Sequence, residues 1–304
     1  MDKIYAFYQG KIVDEKDINI SVRCKGFNYG LGCFEGIRAY WNDQTEQLNV
    51  FKLKEHFERL LRSCKVLNLN IPYSSEELSD YTVELLKKNN VKYDVYVRPI
   101  VYKGAETLAP SLLDDDNRIV IYFQKIGQCL NSDKLKVGIS SWTRLDDDMI
   151  PVRVKPTGGY LNSALASLEA SNNGYDEAIF LTRNGNVAEG TGENIFIYKN
   201  STLITPPVSD NILEGITRNT IMEIAEKELN IKVIQRSITR SELYEAEEAF
   251  FTGTAAEVVA IVEIDNRVIG NGKKGDVSKK LKKIFEEIIK GENKKYSKFI
   301  TLVY

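Results

Sequence analysis

Apolar residues recur at three- and four-residue steps through Leu53, Phe57, Leu60, Leu61, Cys64 and Leu67. That period predicts a helix from about Lys52 to Leu69 with one face on a core. A second helix is expected from Ser75 to Asn89. Asp94 to Tyr102 alternates and predicts a strand, in which Pro99 cannot donate a ladder hydrogen bond and so suggests an edge or a bulge. The continuous apolar run from Arg118 to Phe123 suits a buried strand. Gln124 to Lys134 is polar and irregular, and reads as a linker before a strand at Leu135 to Trp142.

The second half predicts a helix from Tyr160 to Asn172, stopped by Gly174. A strand at Ala178 to Thr182 leads to an Asn184-Gly185 turn, then strands at Asn194 to Tyr198 and Thr202 to Thr205. A helix from Ile216 to Leu229, a strand around Val233 and strands at Ala249 to Thr252 and Val258 to Ile264 follow, with a turn at Asp265-Asn266. Val277, Leu281, Ile284, Phe285, Ile288 and Ile289 mark a last amphipathic helix. Helices and strands mix without a regular βαβ rhythm, so the expected class is α+β. The expected division is a small N-terminal domain over residues 1–123, a linker over 124–134 and a larger domain over 135–304.

Composition narrows the chemistry. Forty-one Lys plus Arg against 43 Asp plus Glu leave a net charge of -2, which disfavours nucleic-acid binding driven by bulk positive charge. The one histidine, His56, excludes sites that need two or three His ligands. No metal is expected. The cysteines, Cys24, Cys33, Cys64 and Cys129, form no C-x-x-C pair and suit a reducing compartment. No apolar run approaches the roughly 18 residues of a membrane span, and the first ten residues carry no apolar leader core. The expectation is a soluble cytoplasmic protein with no membrane partner.

Tyr29-Gly-Leu-Gly-Cys-Phe-Glu-Gly36 imitates a dinucleotide loop but places Glu35 where the third glycine belongs. A tight turn is the better reading. Val152-Arg-Val-Lys-Pro-Thr-Gly-Gly-Tyr-Leu-Asn-Ser163 is more informative. Pro156 biases Lys155 toward an extended conformation, and Gly158 and Gly159 allow a close approach of backbone. A lysine at such a strand end suits Schiff-base chemistry, since burial would lower its pKa. Taken alone, any lysine is more often solvated surface.

Lys155 with Gly159-Tyr160-x-Asn162-Ser163 resembles the cofactor-lysine segment of fold-type IV pyridoxal-phosphate enzymes, and within them the branched-chain amino-acid aminotransferases. Phe34-Glu-Gly-Ile-Arg38, Tyr96-Val-Arg98, Glu189-Gly-Thr-Gly-Glu-Asn194, Gly215-Ile-Thr-Arg218 and Gly253-Thr-Ala-Ala-Glu257 are similar to family segments in the same order, and together cover nearly the whole chain. The resemblance implies pyridoxal 5'-phosphate as cofactor and amino-group transfer between leucine, isoleucine or valine and 2-oxoglutarate. It implies amino acids and 2-oxo acids as partners, in a homodimer or higher homo-oligomer.

The resemblance also assigns roles. Lys155 would carry the cofactor covalently and move the proton. Glu189 would face the pyridine nitrogen and Tyr160 the phenolic oxygen. Ile216, Thr217, Thr254 and Arg59 would hold the phosphate. Tyr96 and the amides at Thr254 and Ala255 would bind the α-carboxylate. Arg98 would take the distal carboxylate of glutamate. Phe34 would wall the pocket, with Tyr29 reaching in from a neighbouring subunit. Without the family, Glu189 reads as a solvated hairpin charge and Arg59 as a solvated helix residue. Relatives often carry a tyrosine where a rough register places Cys129, which puts the aromatic capping of the pocket in question.

Alternatives are a D-amino-acid transaminase or an aminodeoxychorismate lyase of the same fold, a nucleotide-dependent reductase using the Gly30 turn, and a cofactor-free binding protein. Phe34-Glu-Gly-Ile-Arg38 weighs against the first two and Glu35 against the reductase. Intact Lys155, Glu189 and Tyr160 weigh against the last.

Overall fold

The computed structural model describes residues 3–127 and 134–304. It divides into two compact units: Met1–Gly127 with Val154–Gly158 and Glu287–Tyr304, and Gln128–Arg153 with Gly159–Glu286. The Lys155 segment and the C-terminal tail thus group with the first unit, although the expected boundaries put both in the second domain.

The first unit contains β1 (Tyr5–Tyr8), β2 (Lys11–Asp14), α1 (Lys25–Tyr29), β3 (Gly32–Phe34), β4 (Ile37–Asn42), β5 (Gln47–Phe51), α2 (Leu53–Val66), α3 (Ser75–Lys88), β6 (Val95–Lys103) and β7 (Asn117–Lys125). Its antiparallel sheet runs from the tail strand Ile300–Leu302 through β5, β4, β6, β7 and β1 to β2, with β3 also on β6. The periodic stripe of α2 buries Leu53, Phe57, Leu60 and Cys64 as expected. Helix α3 starts at a capping box, with the Glu77 amide donating to the Ser74 hydroxyl at 3.1 Å and the Ser74 amide to the Glu77 carboxylate at 2.8 Å.

Pro99 corrects the expectation of an edge or bulge. Strand β6 is interior, and Pro99 pairs in register with Ile121 of β7. On its other side β6 changes partner from β4 (through Val97) to β3 (from Ile100), so the missing N–H falls at a break in the ladder. Gln124 and Lys125 are also ladder residues of β7 rather than linker. Most of the remaining linker, including Cys129, lies outside the described residues.

The second unit contains β8 (Lys134–Ile139), α4 (Tyr160–Asn172), β9 (Glu177–Leu181), β10 (Val187–Gly190), β11 (Asn194–Lys199), β12 (Thr202–Thr205), α5 (Ile216–Leu229), β13 (Lys232–Gln235), α6 (Arg240–Tyr244), β14 (Glu248–Gly253), β15 (Glu257–Ile264), β16 (Arg267–Val268) and α7 (Asp276–Ile289, grouped with the first unit from Glu287). Its mixed sheet runs β10-β9-β8-β15-β14-β11-β12-β13, with β16 on β15. Asp265 and Asn266 both take positive φ, 49° and 59°, as a two-residue hairpin turn requires. Small residues Ala166 and Ala170 let α4 lie close over Phe180 of β9. The class is α+β, and no helix among the described residues is long and apolar enough to cross a membrane.

Phe57 is fully buried in the first unit's core. Phe57→Ala should lower unfolding stability by about 3–5 kcal/mol in urea titration.

Candidate active site

In the first unit the chemistry gathers around the turn between β3 and β4. The Glu35 amide donates to the Pro99 carbonyl at 3.0 Å, so the chain breaks from one pairing with β6 to the next at this residue. The Glu35 side chain points inward and has no solvent exposure. Helix α2 supplies its partners. Arg59 Nε donates to Glu35 Oε1 at 2.6 Å and Arg59 Nη2 to Oε2 at 2.8 Å, while His56 Nδ1 lies 2.8 Å from Oε2. A bidentate, charge-assisted pair of this kind is strong and directional.

Burial alone pushes the Glu35 carboxyl pKa up, but the Arg59 guanidinium and the His56 imidazole pull it far below the usual range. Burial dominates at His56 and lowers its pKa despite the adjacent carboxylate, with the charges of Arg59 and Lys155 acting in the same direction. Neutral His56 must then carry its proton on Nδ1 to bond Glu35.

His56, Arg59 and Ser63 are spaced at i, i+3 and i+7 and are all buried beside the apolar stripe of α2. This corrects the solvated reading of Arg59: the buried face is wider than the apolar residues alone suggest. The missed signal was a polar row at helical spacing running alongside an apolar one.

Lys155 hangs from the same two elements. Its amide donates to the Ser63 hydroxyl at 3.3 Å, and its carbonyl accepts from the Phe34 amide at 3.1 Å. The Thr157 amide donates to the Gly32 carbonyl at 2.9 Å and that of Gly158 to Gly30 at 3.2 Å, so residues 155–158 lie along β3. Gly30 ends α1 with φ 65°, and a Cβ there would stand 2.9 Å from the Gly158 Cα. The glycine-rich segment is therefore a tight turn that lets the lysine strand pass.

Lys155 is half-buried, not enclosed, and its ammonium lies 5.1 Å from the centre of the Phe34 ring. The Arg98 guanidinium lies 4.4 Å from the same ring and donates to the Tyr96 hydroxyl at 3.3 Å. Tyr96 and Arg98 occupy one face of β6, as their spacing predicted. The Tyr96 hydroxyl lies over Gly36, where a Cβ would be only 1.6 Å away. Lys155, Phe34, Tyr96 and Arg98 are thus brought together. Tyr29 stands at the end of α1 and is 39% exposed.

In the second unit Glu189 is buried near the end of β10. Its Oε1 lies 2.8 Å from Arg144 Nη2, and its Oε2 accepts from Asn194 Nδ2 and the Leu213 amide, both at 3.0 Å. The reading of Glu189 as a solvated hairpin charge is overturned, because β10 buries all four of its residues. Arg144 and Asn194 were missed as its partners. Asn194 also donates to the Leu213 carbonyl at 2.9 Å, and a Cβ on Gly215 would stand 1.9 Å from its Oδ1. Only glycine lets α5 begin here.

Gly215 makes no side-chain cap, so the first-turn amides of α5, including Ile216 and Thr217, have no intrahelical partner and face outward along the helix axis. Arg218 is committed elsewhere: it donates to the Pro206 carbonyl and to Gln235 Oε1, both at 2.9 Å. Burial lowers its pKa to about 10. Thr254 and Ala255 lie half-buried in the turn between β14 and β15, and Tyr160 opens α4 half-buried.

A primary amine, a held carboxylate and an uncapped helix start are the groups that an aldehyde cofactor with a basic ring nitrogen and a phosphate requires. The residues present fit pyridoxal phosphate.

Residues 32–264 match the amino-transferase class IV family, and the chain belongs to it. It is 49% identical over 301 residues to a protein of Aquifex aeolicus named a probable branched-chain-amino-acid aminotransferase, covering 99% of this chain and 97% of that one. Among solved structures, the branched-chain aminotransferase of Thermoproteus uzoniensis with norvaline matches with a TM-score of 0.95 at 44% identity, covering 100% of both chains. The holo, pyridoxal-phosphate form of the Thermobaculum terrenum enzyme matches with a TM-score of 0.95 at 33% identity, covering 99% of both chains.

Glu35→Ala strands the Arg59 charge in the interior and should lower stability by about 3–5 kcal/mol in chemical denaturation. His56 is the chain's one histidine, so its imidazole proton resonances are unambiguous. They should titrate below the ordinary value of about 6.5. Both Glu35 and His56 have lowered folded pKa values. Their stabilisation is therefore present at neutral pH and lost on acidification, from about pH 6.5 for His56 and from about pH 4.3 for Glu35.

Proposed function

We infer that this protein is a pyridoxal-phosphate-dependent aminotransferase that moves the amino group between leucine, isoleucine or valine and 2-oxoglutarate. The observation that carries this reading is the placement of the Lys155 amine and the Arg98 cation against the same Phe34 ring. An amine for the reacting carbon, an apolar wall for an aliphatic side chain and a cation for a second carboxylate then share one neighbourhood. The nearly full-length likeness to branched-chain aminotransferases supports the substrate class.

Pyridoxal phosphate, when bound, supplies the carbonyl that carries the amino group and the conjugated ring that accepts the electron pair of the substrate Cα. The ε-amine of Lys155 holds the cofactor between turnovers and moves the proton at the substrate Cα. Its backbone is tied at both the amide and the carbonyl, so the chain cannot drift while the amine swings. Glu189 would pair with the ring nitrogen and favour its protonated form. The ion pair with Arg144 and the two N–H donors fix both of its oxygens in place. Tyr160 would bond the ring's phenolic oxygen. The amides of Ile216 and Thr217, the Thr254 turn and Arg59 hold the phosphate.

The substrate α-carboxylate lies on the Tyr96 hydroxyl and the amides of Thr254 and Ala255. Phe34 packs on the aliphatic side chain, and Arg98 takes the second carboxylate when glutamate occupies the same place. The exposed apolar residues Val22, Phe27, Tyr29, Leu108 and Leu113 of the first unit support a homodimer in which Tyr29 serves the neighbouring site. Four cysteines without paired spacing support a reducing, cytoplasmic setting.

Lys155→Ala should abolish transamination of L-leucine, L-isoleucine and L-valine and remove the lysine-bound cofactor absorbance. Normal turnover in that variant would end the reading. Transamination of D-amino acids, or pyruvate release from aminodeoxychorismate without amino transfer, would favour the same-fold alternatives. Arg98→Ala should raise KM for 2-oxoglutarate by about 10- to 100-fold, the worth of a charged hydrogen bond. KM for a branched 2-oxo monocarboxylate should change far less, as steady-state kinetics with the two acceptors will show.

A further inference from the structure

Three described cysteines are buried, and they are not equivalent. The Cys24 sulfur accepts from the Phe27 amide at 3.4 Å and caps α1. Cys33 and Cys64 instead face each other, with their sulfurs 3.5 Å apart across the contact of β3 with α2. The sequence places them 31 residues apart, and nothing in their spacing suggests a pair.

Their positions connect them to the lysine. Cys33 immediately precedes Phe34, whose amide holds the Lys155 carbonyl, and Cys33 itself bridges to Pro156. Cys64 immediately follows Ser63, whose hydroxyl holds the Lys155 amide. The two sulfurs therefore stand beside the two residues that suspend Lys155. A bond between them requires the sulfurs to close from 3.5 Å to about 2.05 Å.

We propose that Cys33 and Cys64 form an oxidative modification site, a dithiol that a peroxide converts to a disulfide linking β3 to α2 behind Lys155. With hydrogen peroxide, one thiolate attacks an oxygen, the O–O bond breaks, and a sulfenic acid and water result after proton transfer. The second thiol attacks that sulfur and displaces a second water. Two thiols are oxidised by two electrons and one peroxide is reduced to two waters.

The mutual hydrogen bond and burial both raise the Cys33 thiol pKa. Attack is consequently slow and gated by local opening of the β3–α2 contact. The disulfide, once closed, is equally shielded from reductants. The linkage shifts Phe34 and Ser63 relative to each other and so displaces Lys155. Its effect on turnover rests on Lys155 carrying the cofactor, whereas its formation does not.

The test is oxidation of the full-length holoenzyme with hydrogen peroxide, followed by alkylation, non-reducing peptide mapping and kinetics. The expected product is a linked peptide pair holding Cys33 and Cys64. A displacement on the order of an ångström should lower kcat by about tenfold or more, with recovery on reduction by dithiothreitol. Cys64→Ala should keep the starting activity and lose the sensitivity. Should that variant fail to fold, the mapping of the wild-type chain still decides the matter. Cys33 and Cys64 both remaining alkylatable after Cys24 or Cys129 has reacted would overturn the site. A complete Cys33–Cys64 linkage with unchanged kcat would overturn its coupling to Lys155. An inactive starting holoenzyme would count against the transaminase reading, while the peptide map would still judge the linkage.

Discussion

The first unit is organised by one buried carboxylate. Glu35 is wholly removed from water and would be costly there as a lone anion. Arg59 and His56 resolve this by meeting both of its oxygens. The β3–β4 turn and helix α2 therefore cannot move apart without exposing or stranding charge. Phe34 is next to Glu35 in the chain, and Ser63 lies one turn beyond Arg59. These are the two residues from which Lys155 hangs, so the lysine inherits its backbone position from the ion pair. The Ser63 hydroxyl also donates to the Arg59 carbonyl at 3.0 Å, which ties the lysine's anchor to the same helix turn.

The second unit repeats the principle with different parts. Glu189 is another buried carboxylate on a short strand, and it too is met on both oxygens, by Arg144 on one side and by Asn194 and the Leu213 amide on the other. Asn194 is the pivot. It bonds Glu189, bonds the Leu213 carbonyl, and fills the space that forbids a side chain at Gly215. The buried carboxylate and the start of α5 are thus set by a shared residue. A transaminase needs this rigidity, since one site must accept two substrates in turn and only the substrate side chains should change.

Much of the secondary structure was legible. Helices over Leu53–Val66 and Asp276–Ile289 lie where periodicity placed them, because each carries a regular apolar stripe. The strands of the first fifty residues were not read. Strand β4 is buried along nearly its whole length and shows no alternation, while β1, β2 and β3 are only three or four residues long. Strand β10, Val-Ala-Glu-Gly, has no strand-like composition, and that is why Glu189 looked like a solvated turn. Pro99 looked like an edge because a proline lacks one donor. Which strand lies on that side, and where its ladder breaks, depends on β3 and β4, sixty residues earlier.

The chain's own pattern settled the helices, the α+β class and the inventory of reactive groups, because period and residue type are local properties. Through family resemblance it also suggested one chemistry for Lys155, Glu189, Tyr96 and Arg98. The fate of each charge was not local. Glu35 meets Arg59 across 24 residues, and the Lys155 amide meets Ser63 across 92. Whether a carboxylate is a solvated charge or a buried anchor turns on whether folding delivers a cation to it, and no stretch of sequence around Glu35 or Glu189 contains that answer. The same holds for Cys33 and Cys64, 31 residues apart in the chain, whose sulfurs became neighbours only when β3 and α2 packed together.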